Sequence, residues 1–364
     1  MAPGRIRRRA AWAAAAALAA TALFPGAARA HVKWFAEFGA GDPPAPLSAV
    51  LTPTFFALAA LGTVAVGVLA LLERRVERAP WYLRVDRWLA ERADQALLVL
   101  RVTTGATLLL SWQSGAMLAP ELEAPAWAGW YQFALALLLL FRRSVPAAGA
   151  GLALLYGVAV WRYGLFHMLD YLHYLGIAWY LGVAGARRER LRESRIPALY
   201  LTVGFALAWL ALEKVVYPQW TAYILEQNPQ LALGLDPDFF RVGAAFVEFT
   251  LGYLFVINLF ERPIAALVTL VFFTTTLVFG KVEVIGHTAI HGALIVFLLE
   301  GQGRLYRPPI ELHRRPALRS AFASVNYALL LAAGLAAYHL GARRVSAAAE
   351  EPPAGVVAGP APRG

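Results

Sequence analysis

The sequence predicts an all-α polytopic membrane protein, made of two parallel-repeated four-helix transmembrane bundles with one flanking helix at each end. Of the 364 residues, 59% are hydrophobic and 15% are charged, and the mean hydropathy is +0.55. Soluble domains average about 45–50% apolar and 25% charged residues. About ten apolar segments follow the N-terminal stretch, and their pattern repeats once along the chain.

The N-terminal stretch has the pattern of a signal peptide over residues 1–30. The basic run Arg5–Arg9 precedes an apolar segment, Ala10–Phe24, and Ala28-Arg29-Ala30 supplies a small-x-small cleavage pattern. The apolar core is about 15 residues long, which is short of the roughly 20 that a transmembrane helix needs. We therefore expect export and cleavage after Ala30, with an uncleaved anchor as the alternative.

Cleavage after Ala30 makes His31 the first residue of the mature chain. A free α-amine and the ring nitrogen of an N-terminal histidine together chelate one metal ion, typically copper. His31 is therefore a candidate metal ligand, although some residue must follow any cleavage site. The segment 31–93 then contains an exported stretch with Trp34 at the membrane interface, the first transmembrane helix and a basic cytoplasmic loop.

The charges in the loops predict the orientation. With the mature N-terminus outside, the loops on the inner side carry 19 Arg and Lys residues against six outside. This asymmetry follows the positive-inside rule and predicts a bacterial inner-membrane protein with both termini in the periplasm. The last segments are a basic loop and final helix over 301–342 and a disordered tail over 343–364. The predicted spans are about 47–72, 94–112, 126–141, 146–161, 169–185, 197–213, 239–260, 263–279, 285–300 and 320–340.

A shift of 116 residues aligns the chain with itself. The aligned windows, 94–196 and 197–300, each contain four of the predicted spans, which indicates a duplicated four-helix unit. An even number of spans gives both copies the same orientation in the bilayer. The aligned positions are Tyr163-Gly164 with Phe279-Gly280, His167 with Glu283, Gln132 with Glu248, Phe133 with Phe249, and Gly176 with Gly292.

Two polar stripes lie at corresponding places in the two units. Glu283, His287 and His291 are spaced by four, which places them on one side of a helix. The aligned stretch contains His167, Asp170 and His173, which are spaced by three. Because ionisable side chains are costly in a bilayer, such stripes are usually functional. Both stripes are predicted at the outer end of the fourth helix of their unit.

These side chains suit three kinds of role. Imidazole and carboxylate groups bind copper or similar ions, and a His-x-x-x-His spacing lets one helix supply two ligands. Glu283, His287 and His291 can instead hydrogen-bond a quinone headgroup or relay protons. The third role is structural, with the polar groups pairing between helices. The predicted metal ligands are His31, His167, Asp170, His173, His287 and His291.

A second group of charged residues is predicted near the same side. Glu213 and Lys214 end the first helix of the second unit, and Arg241 and Glu248 lie about two turns apart in the next helix. We assign these four residues to proton handling or catalysis, with mutual ion pairs as the structural alternative.

The sequence also argues against several classes of site. The chain has no cysteine, so disulfides and thiolate metal sites are excluded. It contains no Gly-rich phosphate loop or haem-attachment motif, and no basic-aromatic patch typical of nucleic-acid binding. We therefore expect neither nucleotide nor nucleic acid among its partners.

Short motifs recur at the helix ends of the second unit. They are Gly204, Leu212-Glu213-Lys214, Glu248-x-x-x-Gly252, Pro263, and Phe279-Gly280 followed by Glu283 and Gly286-His287. With these motifs, the second unit resembles the DoxX-like family of four-helix membrane proteins. The first unit resembles a diverged member through Arg101, Gly105, Gln132, Pro146, Tyr163-Gly164 and Gly176. It departs from the pattern because Gln132 replaces the glutamate and no Glu-Lys pair follows its first helix.

The DoxX-like family includes the small membrane subunit of a thiosulfate:quinone oxidoreductase. The resemblance therefore implies a component of a membrane redox system, with a quinone or metal site at the periplasmic face and with redox partner subunits or a periplasmic partner protein. A doubled unit with flanking helices is not the usual layout of this family. Two other hypotheses stay open: copper-type metal transport or periplasmic metal handling, and a non-catalytic membrane scaffold.

Overall fold

The structure is a computed structural model that describes residues 32–36, 39, 41–303 and 315–350. The predicted signal peptide, His31 and residues 351–364 of the tail lie outside the described residues. The described chain is almost entirely helical, which agrees with the predicted class of helical membrane protein.

The N-terminal part contains the first long helix. Thr52 caps this helix, because its side-chain oxygen accepts a hydrogen bond from the Phe55 amide at 3.2 Å, and proline follows at the first helical position. The helix therefore begins after the predicted start at residue 47, and the predicted basic loop 73–93 contains a further helix. The elements are α1 (Val32–Phe35), α2 (Leu47–Val50), α3 (Pro53–Glu77) and α4 (Pro80–Ala90).

The first unit contains helices and a small hairpin. Its elements are α5 (Ala96–Ser114), β1 (Ala116–Met117), β2 (Ala119–Glu123), α6 (Ala126–Leu140), α7 (Val145–Tyr163), α8 (Leu165–Met168) and α9 (His173–Gly182). A single 3₁₀ turn, Leu169–Tyr171, lies between α8 and α9.

The second unit and the C-terminal helix follow. Their elements are α10 (Glu189–Glu193), α11 (Arg195–Val216), α12 (Pro218–Gln227), α13 (Pro237–Val256), α14 (Glu261–Phe279), α15 (Lys281–Glu300) and α16 (Pro316–Glu350). The last helix continues beyond the predicted end of its segment at residue 342. The stretch after that point includes Ala347–Ala349, and alanine has the highest helix propensity.

Seven helices in the described part of the chain are long and apolar enough to cross a membrane. They are α3, α5, α7, α11, α13, α15 and α16. Three predicted spans correspond to helices outside this set. The predicted spans 126–141 and 169–185 are the 15-residue α6 and the 10-residue α9, and 263–279 lies in the 19-residue α14.

Two glycines end corresponding helices of the two units. Gly164 follows α7 with φ of +83°, and Gly280 follows α14 with φ of +68°. A positive φ is readily adopted only by glycine, so each residue lets the chain leave one helix and enter the next. The two positions are 116 residues apart, which is the spacing of the predicted repeat.

The hairpin β1–β2 was not predicted from the sequence. It begins after Gly115, which adopts a positive φ, and its tip residue Leu118 is fully buried. The Gln132 side chain accepts from the Leu118 amide at 2.9 Å and donates to the Ala116 carbonyl at 2.8 Å. The amide oxygen and the amide nitrogen of Gln132 therefore both bind the hairpin. Gln132 aligns with Glu248 of the second unit.

The two units pack against each other through two similar contacts. Gly176 of α9 lies against Thr202 of α11, and Gly292 of α15 lies against Thr103 of α5. In both threonines the hydroxyl donates to the carbonyl four residues earlier, at 2.8 Å for Thr202 and 3.0 Å for Thr103. The fourth helix of each unit therefore packs on the first helix of the other.

The flanking helices α3 and α16 pack together beside the second unit. Hydroxyl groups of α16 donate to carbonyls of α3, from Ser320 to Gly67 at 2.8 Å and from Ser324 to Thr63 at 2.9 Å. A buried ion pair between Glu73 and Arg319 joins the same helices.

Candidate functional site

A cavity of about 310 Å³ lies among helices α11, α13, α14 and α15 of the second unit. Most of its lining is aliphatic or aromatic, and it includes Trp34 and Phe35 of the N-terminal segment. Its volume is at the lower end of the range for small-molecule sites. The polar lining residues are Asp170, Tyr171, His173, Lys214, Thr221, Glu248, Glu283 and His287.

The N-terminal segment reaches this site through Lys33. Its Nζ lies 2.5 Å from Asp170 Oδ2 and 2.6 Å from Glu213 Oε2, and all three side chains are almost completely buried. Burial by itself lowers the pKa of Lys33, but the two carboxylates outweigh it and hold that pKa above its usual range. Lys33 therefore joins the N-terminal segment to both units.

Sequence reasoning missed Lys33. It treated Asp170 as a metal ligand and Glu213 as a catalytic group, whereas the structure places both on the same ammonium. The available signal was a lysine inside a short apolar, aromatic stretch. A charge in such surroundings needs a partner of opposite charge.

The aromatic residues after Lys33 form one wall of the cavity. The Trp34 ring lies against Gly286, where the missing Cβ leaves space for it, and its centroid is 5.3 Å from that of His287. Phe35 stacks on Phe279 with centroids 3.9 Å apart. Trp34 was predicted to anchor the chain at the membrane interface, and in the structure it is buried beside the cavity.

The predicted stripe on α15 is only partly retained at the cavity. Glu283 and His287 both line it, and the Glu283 carboxylate contacts His287 Nδ1. His291 lies outside the lining, with its ring 4.9 Å from that of Phe273. A step of four residues rotates about 40° past a full turn, so two steps carry His291 roughly 80° away from Glu283.

The predicted stripe of the first unit is divided among three places. His167 Nε2 lies 3.4 Å from Glu121 Oε1, Asp170 binds Lys33, and His173 faces the cavity. A spacing of three implies one face only in a continuous helix, and the 3₁₀ turn between α8 and α9 interrupts it. Glu121, on strand β2, was not identified from the sequence.

His173 is a polar lining residue that makes no side-chain hydrogen bond within the described chain. Neither ring nitrogen has a partner there, although the side chain is buried, and its ring packs against Tyr174 with centroids 4.5 Å apart. A buried imidazole without a partner costs free energy. The structure therefore has a donor and an acceptor ready for a ligand at this position.

The ion pairs of α11 and α13 differ from the predicted pairs, which were Glu213 with Lys214 and Arg241 with Glu248. Lys214 Nζ lies 2.5 Å from Glu248 Oε2, and Arg241 pairs with Asp238 at 3.1 Å. Arg241 also donates to the Lys214 carbonyl at 2.9 Å. Lys214 and Glu248 line the cavity, whereas Arg241 supports them from outside it.

The predicted metal ligands are not gathered into one centre. Among the described residues, no group of three or more His, Asp or Glu side chains is placed to hold a metal ion. His31 lies outside the described residues. The predicted ligands His167, Asp170, His173, His287 and His291 have the separate surroundings described above.

The cavity extends to the outer surface of the helix bundle between α13 and α14. Val247 of α13 and Val271 of α14 both line it, yet they are 56% and 38% exposed. Apolar side chains exposed on candidate transmembrane helices are suited to contact lipid.

Comparisons of this chain with models of protein families, with curated proteins and with solved structures found no match.

Proposed function

We propose that this protein is an inner-membrane component of a redox system and that the cavity of its second unit binds a quinone. The carrying observation is the divided lining of the cavity, which is mostly aliphatic and aromatic but includes the buried polar side chains of Asp170, His173 and Glu283. A quinone has the same division, with carbonyl oxygens on a ring and a hydrocarbon tail. When bound, it would supply the redox chemistry, and the residues of this chain would hold, orient and exchange protons with it.

Two histidines in the cavity lining support this class of ligand. His173 offers a ring N–H that has no partner in the described chain, and His287 is orientated by Glu283 and stacks on Phe272 at 4.4 Å. A quinone carbonyl accepts hydrogen bonds from such donors. The unsatisfied His173 is the stronger argument, because a ligand oxygen there would relieve the cost of burying it.

The opening beside Val247 and Val271 supports a ligand dissolved in the bilayer. The tail of an amphiphile could lie between α13 and α14 while its headgroup contacts the polar lining residues. The aliphatic lining favours the tail, since about 0.8 kcal/mol is gained for each CH₂ removed from water. Electron delivery is assigned to a partner subunit or a periplasmic protein.

The proposal includes the architecture and orientation predicted from the sequence. We infer two parallel DoxX-like units, about ten spans and a periplasmic location for the site and both termini. Its supports are the glycines that end α7 and α14 116 residues apart and the reciprocal Gly–Thr contacts between units. Gln132 of the first unit binds the hairpin, whereas the aligned Glu248 of the second unit lines the cavity. This difference supports one site in the protein rather than one in each unit.

Quinone binding tests the proposal directly. The full chain, purified and reconstituted in lipid nanodiscs, is titrated with decyl-substituted benzoquinone. We expect binding that His173→Ala and His287→Ala each weaken about tenfold, because losing one buried hydrogen bond costs about 1–3 kcal/mol.

His291→Ala is the matched control, since it removes an imidazole from the same helix outside the cavity lining and is expected to leave the affinity unchanged. Absence of binding to the unaltered chain, or equal losses in His287→Ala and His291→Ala, contradicts the proposal. Metal analysis of the same samples tests copper handling through His31, which stays a prediction from the sequence, as does a scaffold role.

A further inference from the structure

We propose that Asp170 and Glu213 together hold one exchangeable proton beside Lys33, which makes this triad a proton site in the wall of the cavity. The proposal depends on the three side chains alone and does not require the quinone. If the proposed function is correct, the site is placed to exchange protons near the ligand.

The first argument is the charge balance of the triad. One ammonium contacts two carboxyl groups, at 2.5 Å for Asp170 and 2.6 Å for Glu213, and all three are buried. If both carboxyls were ionised, one negative charge would remain without compensation. Two carboxylates that share one buried site rarely ionise together, as the dyads of aspartic proteases illustrate.

The second argument is the state of the remaining oxygens. Asp170 Oδ1 and Glu213 Oε1 are buried and have no hydrogen-bond partner in the described chain. Ionised oxygens accept hydrogen bonds strongly, so two unpartnered carboxylate oxygens are unfavourable. A proton on one of the carboxyls removes the excess charge from the pair.

The surroundings supply no second fixed positive charge among the described residues. Within that part of the chain, Lys33 is the only Lys or Arg that forms an ion pair with either carboxyl. The hydroxyl of Tyr338 donates to Glu213 Oε2 at 3.3 Å. The other titratable groups that face the triad are Tyr156, Tyr171 and His167 near Asp170, and Tyr217 near Glu213.

A third observation connects the triad to the cavity. Asp170 is itself part of the lining, as is His173, whose ring nitrogens have no partner in the described chain. A proton released by a carboxyl O–H becomes H⁺ on water or imidazole, and the carboxyl becomes a carboxylate. The contents of the cavity therefore have direct access to the exchanging group.

Infrared difference spectroscopy tests the proposal on the full chain in nanodiscs, without quinone. We expect the C=O stretch of a protonated carboxylic acid near neutral pH, with the frequency shift that exchange into D₂O produces. The band is expected to lose intensity as the pH rises. Asp170→Asn and Glu213→Gln are each expected to remove the triad's component of it, because the remaining carboxyl is balanced by Lys33 and ionises.

Two further variants sharpen the result. Lys33→Met removes the cation and is expected to double the band, since both carboxyls then become neutral. Glu73→Gln is the matched control, because Glu73 is equally buried but is paired one-to-one with Arg319, and the band is expected to persist. Absence of the band in the unaltered chain, or an undiminished band in either amide variant, overturns the proposal whether or not quinone binds.

Discussion

Lys33 has more structural consequences than any other single residue near the site. It belongs to a four-residue helix, and its ammonium group contacts one carboxyl group from each unit. A buried charge is tolerated when it is paired and hydrogen-bonded, and its loss leaves its partners uncompensated. The contacts of the Lys33 ammonium therefore help to hold the next two residues, Trp34 and Phe35, at the cavity.

Lys33→Met is expected to lower the free energy of unfolding by about 3–5 kcal/mol, the usual cost of breaking a buried ion pair. Adding Asp170→Asn and Glu213→Gln to this variant should recover much of the loss, because the amides are neutral in the unfolded chain as well and folding then requires no proton uptake. Chemical unfolding in detergent micelles measures both effects. Arg143→Met, at an exposed site, is the control and should change stability little. Equal stability of Lys33→Met and the unaltered chain would show that the triad is not a stabilising contact.

At the scale of elements, the close approach of helices depends on glycine. Gly176 and Gly292 occupy the two interfaces between the units, and a Cβ at either position would overlap a threonine of the facing helix. Small residues allow close packing of transmembrane helices, where dispersion replaces the hydrophobic effect as the driving force. The same residue types perform the same packing role at both interfaces.

Gly176→Ala and Gly292→Ala are each expected to destabilise the protein by about 1–3 kcal/mol, the usual cost of overpacking. Thr202→Ala should relieve part of the first loss, and Thr103→Ala part of the second, since each shortens the facing side chain. Unfolding of the single and double variants gives the coupling energies. Gly157→Ala is the control, because a Cβ there meets no atom within 4 Å. Additive effects in both pairs would contradict the proposed contacts.

At the scale of the whole molecule, the arrangement of charges and helices predicts one orientation. The loops predicted to be cytoplasmic carry most of the Arg and Lys residues, and seven helices in the described chain meet the length and composition of a membrane span. Because moving several charged loops across a bilayer is costly, the orientation should be uniform. The absence of cysteine makes this easy to test, since an introduced thiol is the only one present.

A cysteine at Leu235, in the exposed loop before α13, is expected to react with a membrane-impermeant maleimide added to intact spheroplasts. A cysteine at Arg190, on the predicted inner side, should react only after the membrane is permeabilised. The cysteine-free parent chain supplies the background. The opposite labelling pattern would reverse the proposed orientation and place the site on the cytoplasmic side.

The sequence by itself determined the helical membrane class, because hydrocarbon requires long apolar segments whose backbone hydrogen bonds are internal. It also identified Glu283 and His287 as neighbours, since their contact is local to one helix. The tertiary structure decided the partners of Lys33, the separation of His167, Asp170 and His173, and the place of the hairpin. These depend on contacts between residues far apart in the chain, as in the 137-residue separation of Lys33 and Asp170. Helical periodicity describes neighbours within one helix, whereas the choice of partner for a buried charge is made only when the units pack together.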